Sequence, residues 1–190
     1  MTTLVCFLEE ASAKAFLEGV FPRLLHDGIS VQYVVFEGKQ DLEKQIVRKL
    51  RKWQKPNSVF LIMRDQDAAI CTTAKEYLVR LCNEAQKPAA LVRIACHELE
   101  SFYFGDLSAV EEALQVTLSP YKNKAAYRTP DNIVNPSKEL EKITGGIYQK
   151  IGGSREIGKV ISLTTNSSHS FNVLISGIQK LCGCEDVQHA

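Results

Sequence analysis

Four short strand-like segments, apolar runs at residues 4–8, 59–63 and 89–95 and a further strand pattern at 29–36, constrain this chain more than any other feature. Continuous apolar runs of that length read as strands buried on both faces, the kind found in parallel sheets. The segments between them carry helical periodicity. Ala15, Phe16, Val20, Leu24 and Leu25 form one stripe, with Ser12 as the expected N-cap and Gly28 as the closing C-cap. Leu42, Ile46, Leu50 and Trp53 form a second, and Ile70, Leu78 and Leu81 a third. Strand and helix in alternation predict an α/β fold: a mostly parallel four-stranded sheet flanked by helices. After the fourth run, residues 97–106 predict a short amphipathic helix, and further helices follow at 108–114, 136–143, 154–163 and 170–181. Residues 1–106 thus read as an α/β core. Residues 107–190 read as a helical elaboration packed on that core within one structural domain.

Parallel strands deliver their carboxyl ends to one edge of the sheet, where ligands bind in open α/β folds. Three of the predicted strands end in acid. The first runs into Glu9, the third into Asp65-Gln66-Asp67, and the fourth into His97-Glu98-Leu99-Glu100. In an extended segment Asp65 and Asp67 point to the same side, and two such charges repel unless a cation or a basic side chain stands between them. A hard divalent ion, Mg²⁺ or Mn²⁺, is the simplest such cation, because it takes carboxylate oxygens. The alternative is that both aspartates serve the following helix, one as N-cap and one favoured by its dipole. On a helix Glu98 and Glu100 face different ways, so only one of them is expected to reach such a site.

No apolar run approaches the roughly 20 residues of a membrane span. The start, Met1-Thr2-Thr3-Leu4, lacks the pattern of a signal peptide, which points to the cytoplasm. Six cysteines sit mostly inside apolar patterns without C-x-x-C spacing, as reduced thiols do. Cys182-Gly183-Cys184 with His189 would still need a further ligand to hold zinc. The formal net charge of +1 gives no global attraction to nucleic acid. Local clusters would have to supply it. Lys44, Arg48, Lys49, Arg51, Lys52 and Lys55 make the most basic stretch; it reads first as a solvated helix face and second as a nucleic-acid contact. Lys122, Lys124 and Arg128, interleaved with Tyr121 and Tyr127, are candidates to grip a phosphate backbone, with Lys138, Lys150 and Arg155 beyond them. Ser167 to Ser170 read as the cap of the last helix.

A Glu ending the first strand and an Asp-x-Asp ending the third resemble the signature of the Toprim fold, shared by topoisomerases, bacterial primases and overcoming-lysogenization-defect nucleases. The chain is most similar to the bacterial Toprim-like family called domain of unknown function 4276. The similar segments are Phe7-Leu8-Glu9-Glu10, Phe16-Leu17, Phe21-Pro22-Arg23-Leu24-Leu25, Asp65-Gln66-Asp67, the stretch from Arg93 to Asp106, Asn135-Pro136-Ser137-Lys138-Glu139-Leu140, Tyr148-Gln149-Lys150-Ile151 and Ser167-Ser168-His169-Ser170-Phe171. Two positions depart from the pattern: Glu10 stands where Gly is usual and His97 where Arg is common.

The resemblance implies a Toprim-like, Mg²⁺- or Mn²⁺-dependent site for phosphodiester chemistry. Asp65 and Asp67 would hold the ion, Glu9 would be a metal ligand or general base or acid, and Glu98 or Glu100 would complete the cluster. It further implies a nuclease acting on DNA or RNA, an anti-phage or toxin-like effector working beside a P-loop ATPase. No Walker motif is present here, so ATP hydrolysis would come from that partner. The rival reading is a non-catalytic Toprim-like module that regulates or scaffolds the ATPase. The oligomeric state, a homo-oligomer included, is open at this level.

Overall fold

The computed structural model describes residues 1–184. The strands β1 (Thr2–Leu8), β2 (Ile29–Val35), β3 (Ser58–Asp65) and β4 (Leu91–Ala95) form one sheet in the order β2-β1-β3-β4, and every pairing is parallel. Helices α1 (Ala11–Leu24), α2 (Lys39–Arg51) and α3 (Cys71–Glu84) connect consecutive strands. The central strands β1 and β3 are buried on both faces over Leu4–Leu8 and Phe60–Met63, where every side chain is apolar, so the two-residue alternation feeds two cores; the edge strand β2 is half-buried. Val5, Phe7, Phe60 and Ile62 pack with Leu42, Ile46 and Leu50 of α2 and Leu78 and Leu81 of α3. Leu4, Cys6, Leu8, Leu61 and Met63 pack on the opposite face with Phe16, Leu17 and Val20 of α1.

That second face also receives the rest of the chain. Helices α4 (Ser101–Phe104), α5 (Leu107–Leu114), α6 (Ser119–Lys122), α7 (Pro136–Ile143), α8 (Lys150–Val160) and α9 (His169–Cys182) follow, with single 3₁₀ turns at Ala125–Tyr127 and Pro130–Asn132. Phe102, Tyr103, Leu140, Ile157, Phe171 and Leu174 share one core with the strands. The closest approach is between α1 and α8, where two glycines meet. A Cβ on Gly158 would lie 2.4 Å from the Phe16 carbonyl oxygen, and one on Gly19 would lie 2.6 Å from the Gly158 backbone. Arg23 fastens the same crossing, donating to the carbonyls of Gly158 and Ile161 at 2.8 Å each.

Several local expectations change. Ser12 lies buried inside α1 and donates to Glu10, which occupies the N-cap position. Helix α1 ends at Leu24 because Leu25 is extended, so Gly28 belongs to the turn before β2, its N–H on His26 Nδ1. The helix expected over 97–106 shrinks to Ser101–Phe104. His97 takes a left-handed backbone (φ 57°), and residues 96–100 form bends and turns instead. Helix α8 starts at Lys150, ahead of the expected 154. Ser168 caps α9 by accepting from the Phe171 N–H, and Phe171 is fully buried as its position implies. Cys6, Cys82 and Cys182 are buried free thiols, and Cys71, Cys96 and Cys184 are half-buried ones. His189, invoked for zinc, lies outside the described residues. Among the described residues no helix is long and apolar enough to cross a membrane.

Candidate active site at the carboxyl rim of the sheet

Strand alternation decides which way the rim residues point. Leu61 and Met63 belong to the α1 face and Phe60 and Ile62 to the α2 face. Continuing the alternation, Asp65 extends toward the α1 face and Arg64 toward the α2 face. Both are nearly buried, Asp65 at 9% exposure and Arg64 at 4%.

On the α1 side the carboxylate neighbours of Asp65 are Glu100, Glu10 and Glu9. Burial first, and then these three charges, push the Asp65 carboxyl well above the usual carboxylate range; Lys150 opposes the shift. Glu100, at the start of α4, is fully buried. Its Oε1 accepts from Tyr148 Oη at 2.8 Å, and among the described residues its Oε2 has no hydrogen-bond partner. Burial raises its proton affinity as well. Tyr148 is itself held by Ser154 Oγ at 3.1 Å, and the Tyr103 hydroxyl, a second buried polar group, lacks a partner. Lys150, at the first position of α8, donates to Glu10 Oε2 at 2.9 Å. Burial works against its charge, but Glu10, Glu100 and Asp65 outweigh it and raise its pKa.

Glu9 joins the two sides. Its Oε2 accepts from the Asp65 N–H at 3.0 Å and stands 4.0 Å from Arg64 Nε. Burial raises the Glu9 pKa most strongly, the Asp65 N–H opposes that, and Asp67 adds to it. Arg64 reaches Glu43 of α2 at 2.6 Å and stands 3.8 Å from Asp67.

Asp67 corrects the expectation that it would share a side with Asp65. The strand stops at Asp65, and Asp67 takes a left-handed backbone (φ 53°) while its N–H donates to the His97 carbonyl at 2.8 Å. Its carboxylate accepts from Lys39 Nζ at 2.8 Å, at the start of α2. Only an extended backbone would have aligned the pair. Asp67 then lines a shallow cleft with Gln66, His97, Glu98 and Asn135.

The structure also separates Glu98 from Glu100. Glu98 Oε2 accepts from the Ser137 N–H at 2.8 Å, capping the first turn of α7, while Glu100 lies beside Asp65. Among the described residues no three His, Cys, Asp or Glu side chains stand close enough to hold a metal ion as they are. The donor chemistry nonetheless fits a hard cation. Asp65 and Glu100 are buried acids close enough for each charge to oppose the other, and among the described residues one Glu100 oxygen is an orphaned acceptor. Lys150, Arg64 and Lys39 meanwhile engage Glu10, Glu9 and Asp67.

The basic candidates scatter. Lys122 pairs with Glu111, Lys124 lies 4.4 Å above the Tyr121 ring, and Arg128 lines a cleft with Lys122, Tyr127 and Asp106. Arg155 pairs with Glu18 at 3.4 Å, and Lys138 is exposed on α7. Lys150 alone among them sits in the acidic cluster. His169 is exposed at the start of α9. Sequence reasoning missed Lys39, Arg64 and Tyr148 as parts of the rim. One signal was available: an arginine following five apolar residues inside a buried strand demands a carboxylate partner.

Comparison with known proteins agrees with this architecture. The C-terminal region of the Burkholderia pseudomallei OLD protein matches over 93% of this chain and 97% of its own, with a TM-score of 0.50 and 18% sequence identity. That likeness is one of fold, an all-parallel four-stranded sheet flanked by helices, and the fold is Toprim-like. No curated protein sequence matches. The family model described as Domain of unknown function (DUF4276) matches residues 8–179. This chain therefore belongs to the DUF4276 family, related in fold to the OLD C-terminal region.

Proposed function

We propose that this protein is a metal-dependent nuclease that hydrolyses phosphodiester bonds at the carboxyl rim. The observation that carries the reading is the burial of two acids, Asp65 and Glu100, whose charges oppose each other, with Glu9 on the Asp65 N–H and Glu100 Oε2 unpartnered among the described residues. Burying carboxylates this way is costly without a cation, so a fold that retains them has a use for them. Asp65 and Glu9 are the residues that would hold Mg²⁺ or Mn²⁺, with Glu100 completing the set; Asp67, turned to Lys39, would join them only on leaving that lysine. A bound ion of that kind stabilises developing charge on a phosphoryl oxygen and makes water a better nucleophile.

The chain's own groups do the rest. Glu9, its proton affinity raised by burial, takes or gives a proton at the attacked or leaving oxygen. Lys150 and Lys39, at the first positions of α8 and α2, present cations to a phosphate backbone once they leave Glu10 and Asp67. Glu98, bound to α7, serves the site by fixing the loop that carries Glu100. The substrate in this reading is DNA or RNA, and the setting is an anti-phage or toxin-like effector with a P-loop ATPase partner.

One observation favours a second reading, a non-catalytic module of that ATPase: Lys150, Arg64 and Lys39 already engage three of the rim acids. Cleavage separates the two. Labelled single-stranded DNA, duplex DNA and RNA are incubated with wild type and Asp65→Asn in Mg²⁺ or Mn²⁺, with and without EDTA. Cleavage that chelation and the substitution both abolish supports the nuclease. Intact substrates in every lane, with folded protein, support the module.

A further inference from the structure

We infer that the outer face of α2 is a docking surface for a single strand of nucleic acid, leading away from the rim. From Lys39 to Lys55 the chain carries seven basic residues against two acidic ones, a local charge of +5 in a protein of net charge +1. The acids are spoken for. Glu43 turns inward to Arg64 at 2.6 Å, and Asp41 holds Gln45 and the Glu37 N–H. Leu42, Ile46 and Leu50 bury the opposite face of the helix, which fixes its rotation. Lys44, Arg48 and Lys52 are therefore exposed in steps of four residues, about 6 Å of rise each, and Lys55, also exposed, follows in the loop beyond the helix. Among the described residues none of these four lies within ion-pair distance of a carboxylate; the ion pairs of this region belong to Lys39 and Arg51.

Helix α2 itself begins at the candidate site. Lys39, at its first position and on the inward side of the helix, holds Asp67, so a strand engaged at the rim meets α2 at its amino end and reaches the outer row one turn on. By contrast, Lys122 and Lys124 of the aromatic segment are already engaged, by Glu111 and the Tyr121 ring. A protein partner fits α2 poorly. Protein interfaces are depleted in lysine and need an apolar centre, and the apolar side chains of this helix face the core. A polyanionic backbone needs only the spaced cations, and Trp53, half-buried beside Arg48 and Lys52, offers a ring edge for a base.

The test is fluorescence anisotropy with labelled 20-nucleotide single-stranded DNA and RNA, in EDTA, at rising salt. Four phosphate contacts give a slope of log affinity against log salt of about −2.8, or roughly a 50-fold loss between 50 and 200 mM salt. The variant K44Q/R48Q/K52Q/K55Q should lose most of that slope, while K122Q/K124Q/R128Q should keep it. All four α2 positions are exposed, and unchanged melting shows that the fold is intact. Equal binding and slope in the α2 variant would overturn the inference. So would a wild type that ignores both strands, whether or not it binds polyglutamate; polyglutamate binding would assign the face to an acidic protein. The proposal rests on the nucleic-acid reading above but not on catalysis. Binding and its salt slope are read in EDTA, so the test stands even if the wild type cleaves nothing.

Discussion

Glu98 and Glu100 are two residues apart in sequence, yet the structure gives them different work, and substitution should separate them. Glu98 spans from the β4 loop to α7, where its Oε2 accepts from the Ser137 N–H at 2.8 Å. This carboxylate supplies the capping acceptor, because Asn135, at the N-cap position, makes no side-chain cap bond. Removing a capping acceptor costs about 1 kcal/mol, with a few tenths more from the lost charge at the helix amino end. For a chain of this length that lowers the melting temperature by about 2–4 °C. Glu98→Ala should therefore melt lower and still bind Mn²⁺ like wild type. Glu100→Gln keeps the acceptor that Tyr148 requires and removes the buried charge, so it should melt no lower than wild type and lose Mn²⁺ affinity. Scanning calorimetry and calorimetric titration on the same samples read both effects. The assignment is wrong if Glu98→Ala abolishes ion binding at unchanged melting, or if Glu100→Gln binds normally.

Further outcomes follow from the same geometry. Burial is the leading cause of the raised proton affinities of Asp65, Glu100 and Glu9. A carboxyl whose folded pKa exceeds its unfolded value contributes stability that is present below about pH 4 and lost as pH rises through the folded value. In EDTA, Asp65→Asn should thus melt above wild type at neutral pH, with the gap closing toward pH 4; a constant gap, or a lower melting point at neutral pH, would contradict this. Gly158→Ala drives a methyl against the Phe16 carbonyl and should cost about 1–3 kcal/mol by denaturant unfolding. Gly152→Ala, in the same helix with open space around its added Cβ, should be neutral or stabilising by up to about 1 kcal/mol. Equal destabilisation by both would deny the α1–α8 contact.

Strands β1 and β3 were legible because burial on both faces leaves an unbroken apolar run, and helical periodicity filled the gaps between consecutive strands. Asp65 was legible for the same reason: it ends such a run at a rim shared with Glu9. Asp67 was misread because extension was assumed one residue too far, and a left-handed turn leaves no trace in an aspartate that tolerates it. The choice between Glu98 and Glu100 turns on α7, whose Ser137 N–H lies 39 residues along the chain from the acceptor it finds. Lys150 shows the same limit from the basic side. As a letter it suggested a phosphate contact, and only the packing of α8 on α1 brings it to Glu10.

The central claim is that the rim carboxylates form a cation site, and titrating Mn²⁺ into the wild type beside Asp65→Asn tests it most directly. The account predicts saturable binding by the wild type that Asp65→Asn loses while remaining folded. No binding by the folded wild type, or equal binding by both proteins, would contradict it.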